Sequence, residues 1–391
     1  MSSGVSAGIR CFHGEGHIFQ NIWVHDFTDQ GVLIQGIGAS AEFSVTVNNA
    51  YCYDQTGDVG KGIGLESAND DASRITLNNV FCWGNGVAGT GGRGINVGSG
   101  SCTINNAWCW DNGAGGIKTS GNDNQHVIMN NCHMNDNTDA AAPGFTTTGT
   151  FRLLEFNNCT FDNNGDHGLS IGHAGRVLIN NCFSRGNGDI GLSITAGDVL
   201  VSNFASESNT NQGVNVTGGS IQATCIRTES NGDQGVQIGT NEIAHIHSIV
   251  SVDDCTAGAA SAAVTIQPAS SGLDLYIGAV HAADSGANVT EAVDIVNSDV
   301  VNALIGKITA DSITTELSDS GVNTTYLSRK RLPTATTTEL EDIGDDVNTS
   351  DYKVEGSVYF NTTTNKPVYA AGNTASNVWV DATGATAHTP V

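Results

Sequence analysis

The chain has 391 residues, among them 49 Gly and 5 Pro, with 39% hydrophobic residues and a formal net charge of −25. No Gly-X-Y period is present, which excludes collagen, and apolar residues recur in strand-sized runs, which excludes a disordered chain. The acid excess argues against nucleic-acid binding and against adhesion to anionic membranes, and it suits a soluble surface, a neutral sugar partner or bound cations.

The N-terminal stretch MSSGVSAGIRCFHGEGH has no basic segment followed by an apolar run, so no signal peptide is read there. No apolar stretch reaches membrane-spanning length, so no membrane insertion is expected. The ten cysteines are far apart and follow the repeat described next. They read as reduced, buried small hydrophobes, which suits folding in a reducing cytoplasm.

From residue 48 the chain repeats. Asn pairs fall at Asn48-Asn49, Asn78-Asn79, Asn105-Asn106, Asn130-Asn131, Asn157-Asn158 and Asn180-Asn181, and Ser202-Asn203 and Thr224-Cys225 continue the series. A period in this range marks a solenoid. In each unit a short apolar strand (SVTVNN, RITLNN, RVLINN) enters the pair. A turn follows, then a second strand such as GVLIQG, GINVGS or GLSIGH. Strands this short cannot bury their own faces, but stacked coils can, so the expected fold is all-β, a right-handed parallel β-helix. Six residues after each anchor runs an Asn column, Asn85, Asn112, Asn137, Asn164, Asn187, Asn209 and Asn231, which reads as a turn ladder in which Asn adopts the left-handed conformation and bonds its stacked copy.

Alternation assigns two columns to the core: Ala50, Val80, Ala107, Cys132, Cys159, Cys182 and Phe204, and Cys52, Cys82, Cys109, Met134 and Phe161. The solenoid is expected over 1–328, a linker or capping segment over 329–351, and a small antiparallel β module over 352–391.

The outward columns between the core positions carry the candidate chemistry. Tyr51, Phe81 and Trp108 lead one, followed by His133 and Thr160; Tyr53, Trp83 and Trp110 lead the next, followed by Asn135 and Asp162. Six aromatics on three coils form an apolar strip suited to the CH faces of sugars or to a neighbouring subunit. Asp54, Asp111 and Asp136 share the position before the turn ladder, with Gly84 between. Their coil spacing suits a glycosidase carboxylate pair, and Asp before Asn-Gly is equally ordinary turn chemistry. Lys61, Arg93 and Lys118 lie at the second strand of three coils, with Glu66 nearby. They suit proton abstraction and charge stabilisation on an anionic glycan, or a solvated face. His167 and His173 show no acid partner at metal spacing. The metal is left unknown, with the hard oxygens of Asn69-Asp70-Asp71 the one stretch suited to Ca²⁺.

The terminal stretch GSVYFNTTTNKPVYAAGNTASNVWVDATGAT, from Gly356 to Thr386, resembles the C-terminal module of bacteriophage tailspike and tail-fibre proteins. The coils before it resemble the pectate-lyase-like helices of tailspikes. The resemblance implies a homotrimer on the virion tail, made in the host cytoplasm and contacting other tail proteins. Its implied role is to bind, and often to depolymerise, host surface polysaccharide as a glycoside hydrolase or polysaccharide lyase. No tailspike catalytic motif matches residue by residue. Two alternatives stand beside it: a non-catalytic structural or receptor-binding virion protein, and a free-standing cellular pectate-lyase-like enzyme. The chain opens on a coil, Gly8-Ile9-Arg10, one period before Gly31-Val32-Leu33.

Overall fold

The computed structural model describes residues 7–12, 16–36, 43–57, 60–67, 73–86, 91–98, 100–121, 125–240, 242–257, 262–268, 272–286, 288–296, 303–320, 325–326, 334–348, 358–381 and 383–390. The chain divides into two compact units, Met1–Tyr326 and Leu327–Val391.

The first unit is a parallel β-solenoid, as the repeat predicts. The early coils each contribute one strand that enters the Asn pair and continues past it, Phe43–Tyr53, Ser73–Trp83 and Ser101–Trp110, and later coils divide it in two, as in His126–Asn130 and His133–Asn135. The second Asn of each pair, and Asn21 in the first coil, has φ of 52–56° through Asn181; this left-handed residue bends the strand, which runs on past Asn49, Asn79 and Asn106 and breaks at Asn131, Asn158 and Asn181. The bend separates face A, before the pair, from face B, after it. Face C is the strand that follows the next turn: Gln30–Gly36, Lys61–Ser67, Arg93–Val97, Ile117–Gly121 and Phe145–Gly149. Ala7–Phe12 begins the stack, pairing Ile9 with Val32 and Arg10 with Leu33. Both predicted core columns are buried, and burial pushes the Cys82 and Cys102 thiols up, so these sulfurs act as core hydrophobes.

Side-chain amides tie the coils together. The first Asn of each pair donates to the one a coil earlier, Asn78 to Asn48 and Asn105 to Asn78, each at 2.8 Å. The turn column is buried and runs the other way: Asn85 donates to Asn112 at 2.8 Å, and the chain of amides continues through Asn137, Asn164, Asn187, Asn209 and Asn231. The sequence expectation needs one correction. The left-handed residue is the one before each of these Asn, at Gly84, Asp111, Asp136, Asn163, Gly186, Ser208 and Ser230, where φ lies between 52° and 64°, and Asp54 holds the same place before Gln55. The ladder ends on Asp254, fully buried, whose Oδ1 accepts the Asn231 amide at 2.8 Å and the Asn231 N–H at 2.9 Å.

In the second unit, strands Val358–Asn361, Lys366–Ala370, Trp379–Val380 and Thr386–His388 form an antiparallel meander. Residues 334–348 are built into the same unit. Thr334–Ala335 pairs with the first of these strands, and buried Trp379 donates its indole N–H to Asn348 at 2.9 Å.

Candidate functional site

Face B carries two outward columns on adjacent coils. Trp23 stacks on Tyr51 at 4.2 Å between ring centroids and Tyr51 on Phe81 at 4.9 Å; in the second column Tyr53 stacks on Trp83 at 4.4 Å and Trp83 on Trp110 at 4.9 Å. Interplanar angles of 5–16° make the rings lie flat on one another along the coil axis. The strip expected from the sequence is present, but its chemistry differs from the expectation. Within the stack, ring faces are occupied by neighbouring rings, and what remains exposed is edges. Trp23 and His25 extend the strip by one coil, with Trp23 64% exposed. The sequence reading missed them because their coil has Gln20-Asn21 in place of an Asn pair, although the Trp-x-His-Asp spacing repeats Tyr-x-Tyr-Asp at 51–54.

Past Trp110 the same columns turn polar. His133 stacks on Trp108 at 4.0 Å, and its Nδ1 lies 2.8 Å from the Thr160 hydroxyl. Asn135 stands in register with Trp110, and Asp162 with Asn135. Arg185 follows Asp162 in the register, its guanidinium 3.7 Å from the carboxylate. Asp162 Oδ1 is buried and accepts no hydrogen bond among the described residues. Burial first, then Asp136 and Glu207, push the Asp162 carboxyl up, while Arg185 pulls it down. Burial lowers His133, favouring the neutral ring. The sequence placed His133, Thr160, Asn135 and Asp162 in their columns without a role, and it did not single out Arg185. The signal for them was the break in aromatic character, and their protonation is set by burial, which spacing does not report.

Asp54, Asp111 and Asp136 lie on the edge between faces B and C, exposed, each in the left-handed turn position. The Asp54 carboxylate folds over the next coil, where a Cβ on Gly84 would meet Asp54 Oδ1 at 2.5 Å. Asp136 Oδ1 accepts the Asn163 amide at 3.1 Å. Asp, Gly, Asn and Ser alternate here because each tolerates φ near +55°. Asp111 also lines a cavity of about 490 Å³ with Gly84, Asn112, Thr138 and Asp139.

On face C, Lys61 is in register with Arg93, and Lys118 with Asn96. Lys61 Nζ pairs with Glu66 at 3.0 Å. The Asn69-Asp70-Asp71 loop lies outside the described residues. His167 corrects another expectation: it has acid partners, Asp166 at 3.5 Å and Asp189 at 3.2 Å. Asp189 comes from the next coil, which is why local spacing hid it. Among the described residues these three form the one group of His, Cys and acid side chains close enough to hold a metal ion. Also among the described residues, no helix is long and apolar enough to cross a membrane.

No protein-family model matches the sequence, and no curated protein matches it. Among solved structures, the chain is similar to the A-module of the Azotobacter vinelandii mannuronan C-5 epimerase AlgE4, at 15% identity and a TM-score of 0.43, covering 83% of this chain and 92% of that one. It is similar to tailspike protein 3 of bacteriophage CBA120 at 12% identity and a TM-score of 0.38, covering 97% of this chain and 64% of the tailspike chain. The A-module of the related epimerase AlgE6 gives 14% identity and a TM-score of 0.35, over 83% of this chain and 90% of that one.

Proposed function

We propose that the protein binds a surface polysaccharide along face B and cleaves it at the polar end of the aromatic stack. The observation that carries this reading is the passage, within two continuous columns, from stacked rings to His133, Thr160, Asp162 and Arg185. Exposed ring edges and the terminal ring at Trp110 offer apolar contact for sugar, and the polar group beside them supplies proton chemistry. Asp162 is the proton donor: its carboxyl is shielded, held up by burial and by two neighbouring acids, and poised to protonate a glycosidic oxygen. Glu207 stands two coils away in the same column, a backbone separation of about 9.6 Å at roughly 4.8 Å per coil, near the range of inverting carboxylate pairs. This supports hydrolysis with inversion on face B. The proposed setting is a homotrimeric tail protein acting at a host cell surface, in contact with other virion tail proteins.

The test is incubation with a panel of capsular and algal polysaccharides, following viscosity and absorbance near 235 nm, with Asp162→Asn alongside. A viscosity drop without absorbance, reduced at least 100-fold in Asp162→Asn, is the expected result. A rise in absorbance would indicate elimination and move the chemistry to Lys61, Arg93, Lys118 and Glu66. Binding without cleavage would leave a receptor-binding protein.

One observation favours a second reading, a non-catalytic virion protein whose face B packs against other subunits. Most ring faces are stacked on neighbouring rings, while Trp23 and Trp108 expose 64% and 41% of their surface. Light scattering on the intact chain, wild type and Trp23→Ser, separates the two. Loss of the trimer in the variant would mark face B as a subunit interface.

A further inference from the structure

The chain has 15 Lys and Arg against 40 Asp and Glu, so each cation has acids to spare. On face C three cations gather, with Glu66 beside them. Lys61 and Arg93 are in register on adjacent coils, and Lys118 lies one coil further. Among the described residues Glu66 is the acid paired with this group, taking Lys61 Nζ at 3.0 Å and the Gln30 amide at 3.2 Å. Arg93 Nη1 is buried and meets no acceptor among the described residues. It lies 3.2 Å from where a Cβ on Gly115 would stand, at a φ of +121°, so the glycine both makes the turn and admits the guanidinium. After burial, the charges of Arg93 and Lys61 are what depress the Lys118 ammonium, so the three cations feel one another. A partly shielded group of like charges destabilises the fold unless something neutralises it.

We infer that Lys61, Arg93 and Lys118 form an oxyanion-binding site on face C, which takes a carboxylate, sulfate or phosphate group. The register sets Lys61 one coil before Arg93 and Lys118 one coil after, so such a group would meet the guanidinium charge between two ammonium charges. The site deepens the function proposed above and rests on it only for the carrier: it makes the polysaccharide an acidic one. Glu66, held by Lys61 and Gln30, limits the room for a second anion beside the first.

The test is thermal unfolding of the full chain with inorganic sulfate, with an oligouronate and with a neutral dextran oligomer, each at ionic strength matched with chloride. Sulfate stabilises folded proteins generally by exclusion, so the decisive quantity is the difference between wild type and Arg93→Gln. Wild type is expected to show a saturable rise in Tm with sulfate and oligouronate, with apparent affinity at least 10-fold weaker in Arg93→Gln. Lys118→Met is expected to raise Tm without anion, by relieving repulsion, and to weaken the anion response. A purely structural role for Lys118 moves both the other way or leaves the response intact. Identical anion responses in wild type and both variants overturn the site. Dextran binding with no oligouronate response overturns the site and leaves the proposed function standing. A saturable sulfate response with neither polymer bound supports the site and overturns its assignment to an acidic polysaccharide.

Discussion

Two ladders run along this solenoid, and they obey different rules. The turn ladder from Asn85 to Asn231 is buried and keeps one residue type for seven coils. The outward stack on face B runs from Trp23 and His25 to Trp108 and Trp110, closes with His133 on Trp108, and then gives way to polar side chains, with Phe183 following Thr160 in register. Burial explains the contrast. From Asn112 onward each ladder amide fills donor and acceptor roles toward neighbouring coils, so any other side chain strands buried partners. The outward stack has solvent as an alternative partner, and its composition is free to follow function. Repetition inside therefore reports folding, and interruption outside reports use.

The largest expected effect breaks the inner ladder. The Asn137 amide donates to Asn164 Oδ1 at 2.8 Å and to the carbonyls of Cys109 and Asn135 at 3.2 Å, and its oxygen accepts the Asn112 N–H at 3.0 Å. Asn137→Ala leaves several of these groups buried without partners, at about 3 kcal/mol or more. Denaturant unfolding measures it, and a cost under about 1 kcal/mol would remove the distinction drawn here. Trp83→Ala on the outer stack cuts two ring contacts, at 4.4 and 4.9 Å, and is expected to cost roughly 1–3 kcal/mol while leaving the far-ultraviolet spectrum unchanged.

The third prediction concerns how the inner ladder ends. Asp254 accepts from Asn231, from the Thr228 hydroxyl at 2.6 Å and from Ser251, and among the described residues no cation pairs with it. Burial pushes its carboxyl up, against these hydrogen bonds, which pull it down. A carboxyl raised in the folded state binds its proton more tightly there than in the unfolded chain. Its favourable contribution is therefore complete below the unfolded value of about 3.9 and is lost as pH rises through the folded value. Asp254→Asn continues the ladder with an amide, and the two hydroxyls turn to accept. Stability measured from pH 4 upward should fall less steeply in Asp254→Asn than in wild type, with the variant about 1 kcal/mol more stable at neutral pH. The remaining slope belongs in part to Asp162, which burial shifts the same way.

The coil register was legible because a two-residue alternation and an Asn anchor leave one way to stack: Tyr51, Phe81, Trp108, His133 and Thr160 fall in one register as read. What the sequence hid lies between coils. The ring planes of Tyr53, Trp83 and Trp110 depend on inter-coil spacing, and face-to-face stacking turns a presumed sugar platform into a column of edges. The partnership of His167 with Asp189 spans 22 residues, and the shielding of Asp162 comes from neighbours on other coils. Burial and inter-coil distance are tertiary quantities, and no local pattern carries them.

The smallest expected effect sharpens the boundary between the two kinds of column. Asp111 sits on that boundary, outward like the face B side chains and repetitive like the turn ladder, with φ of +52°. If its role is the turn, glycine serves as well, as Gly84 does one coil earlier at φ +61°. Asp111→Gly should then change stability by less than about 0.5 kcal/mol, whereas Asp111→Ala, with a Cβ in the left-handed region, should cost about 1 kcal/mol. Cleavage of whichever polysaccharide the chain accepts should be unchanged in Asp111→Gly. A 100-fold loss of cleavage with stability intact would place Asp111 among the reacting groups. The left-handed column would then be the site where a folding requirement and a chemical one coincide, and Asp54 and Asp136 would become the next residues to change.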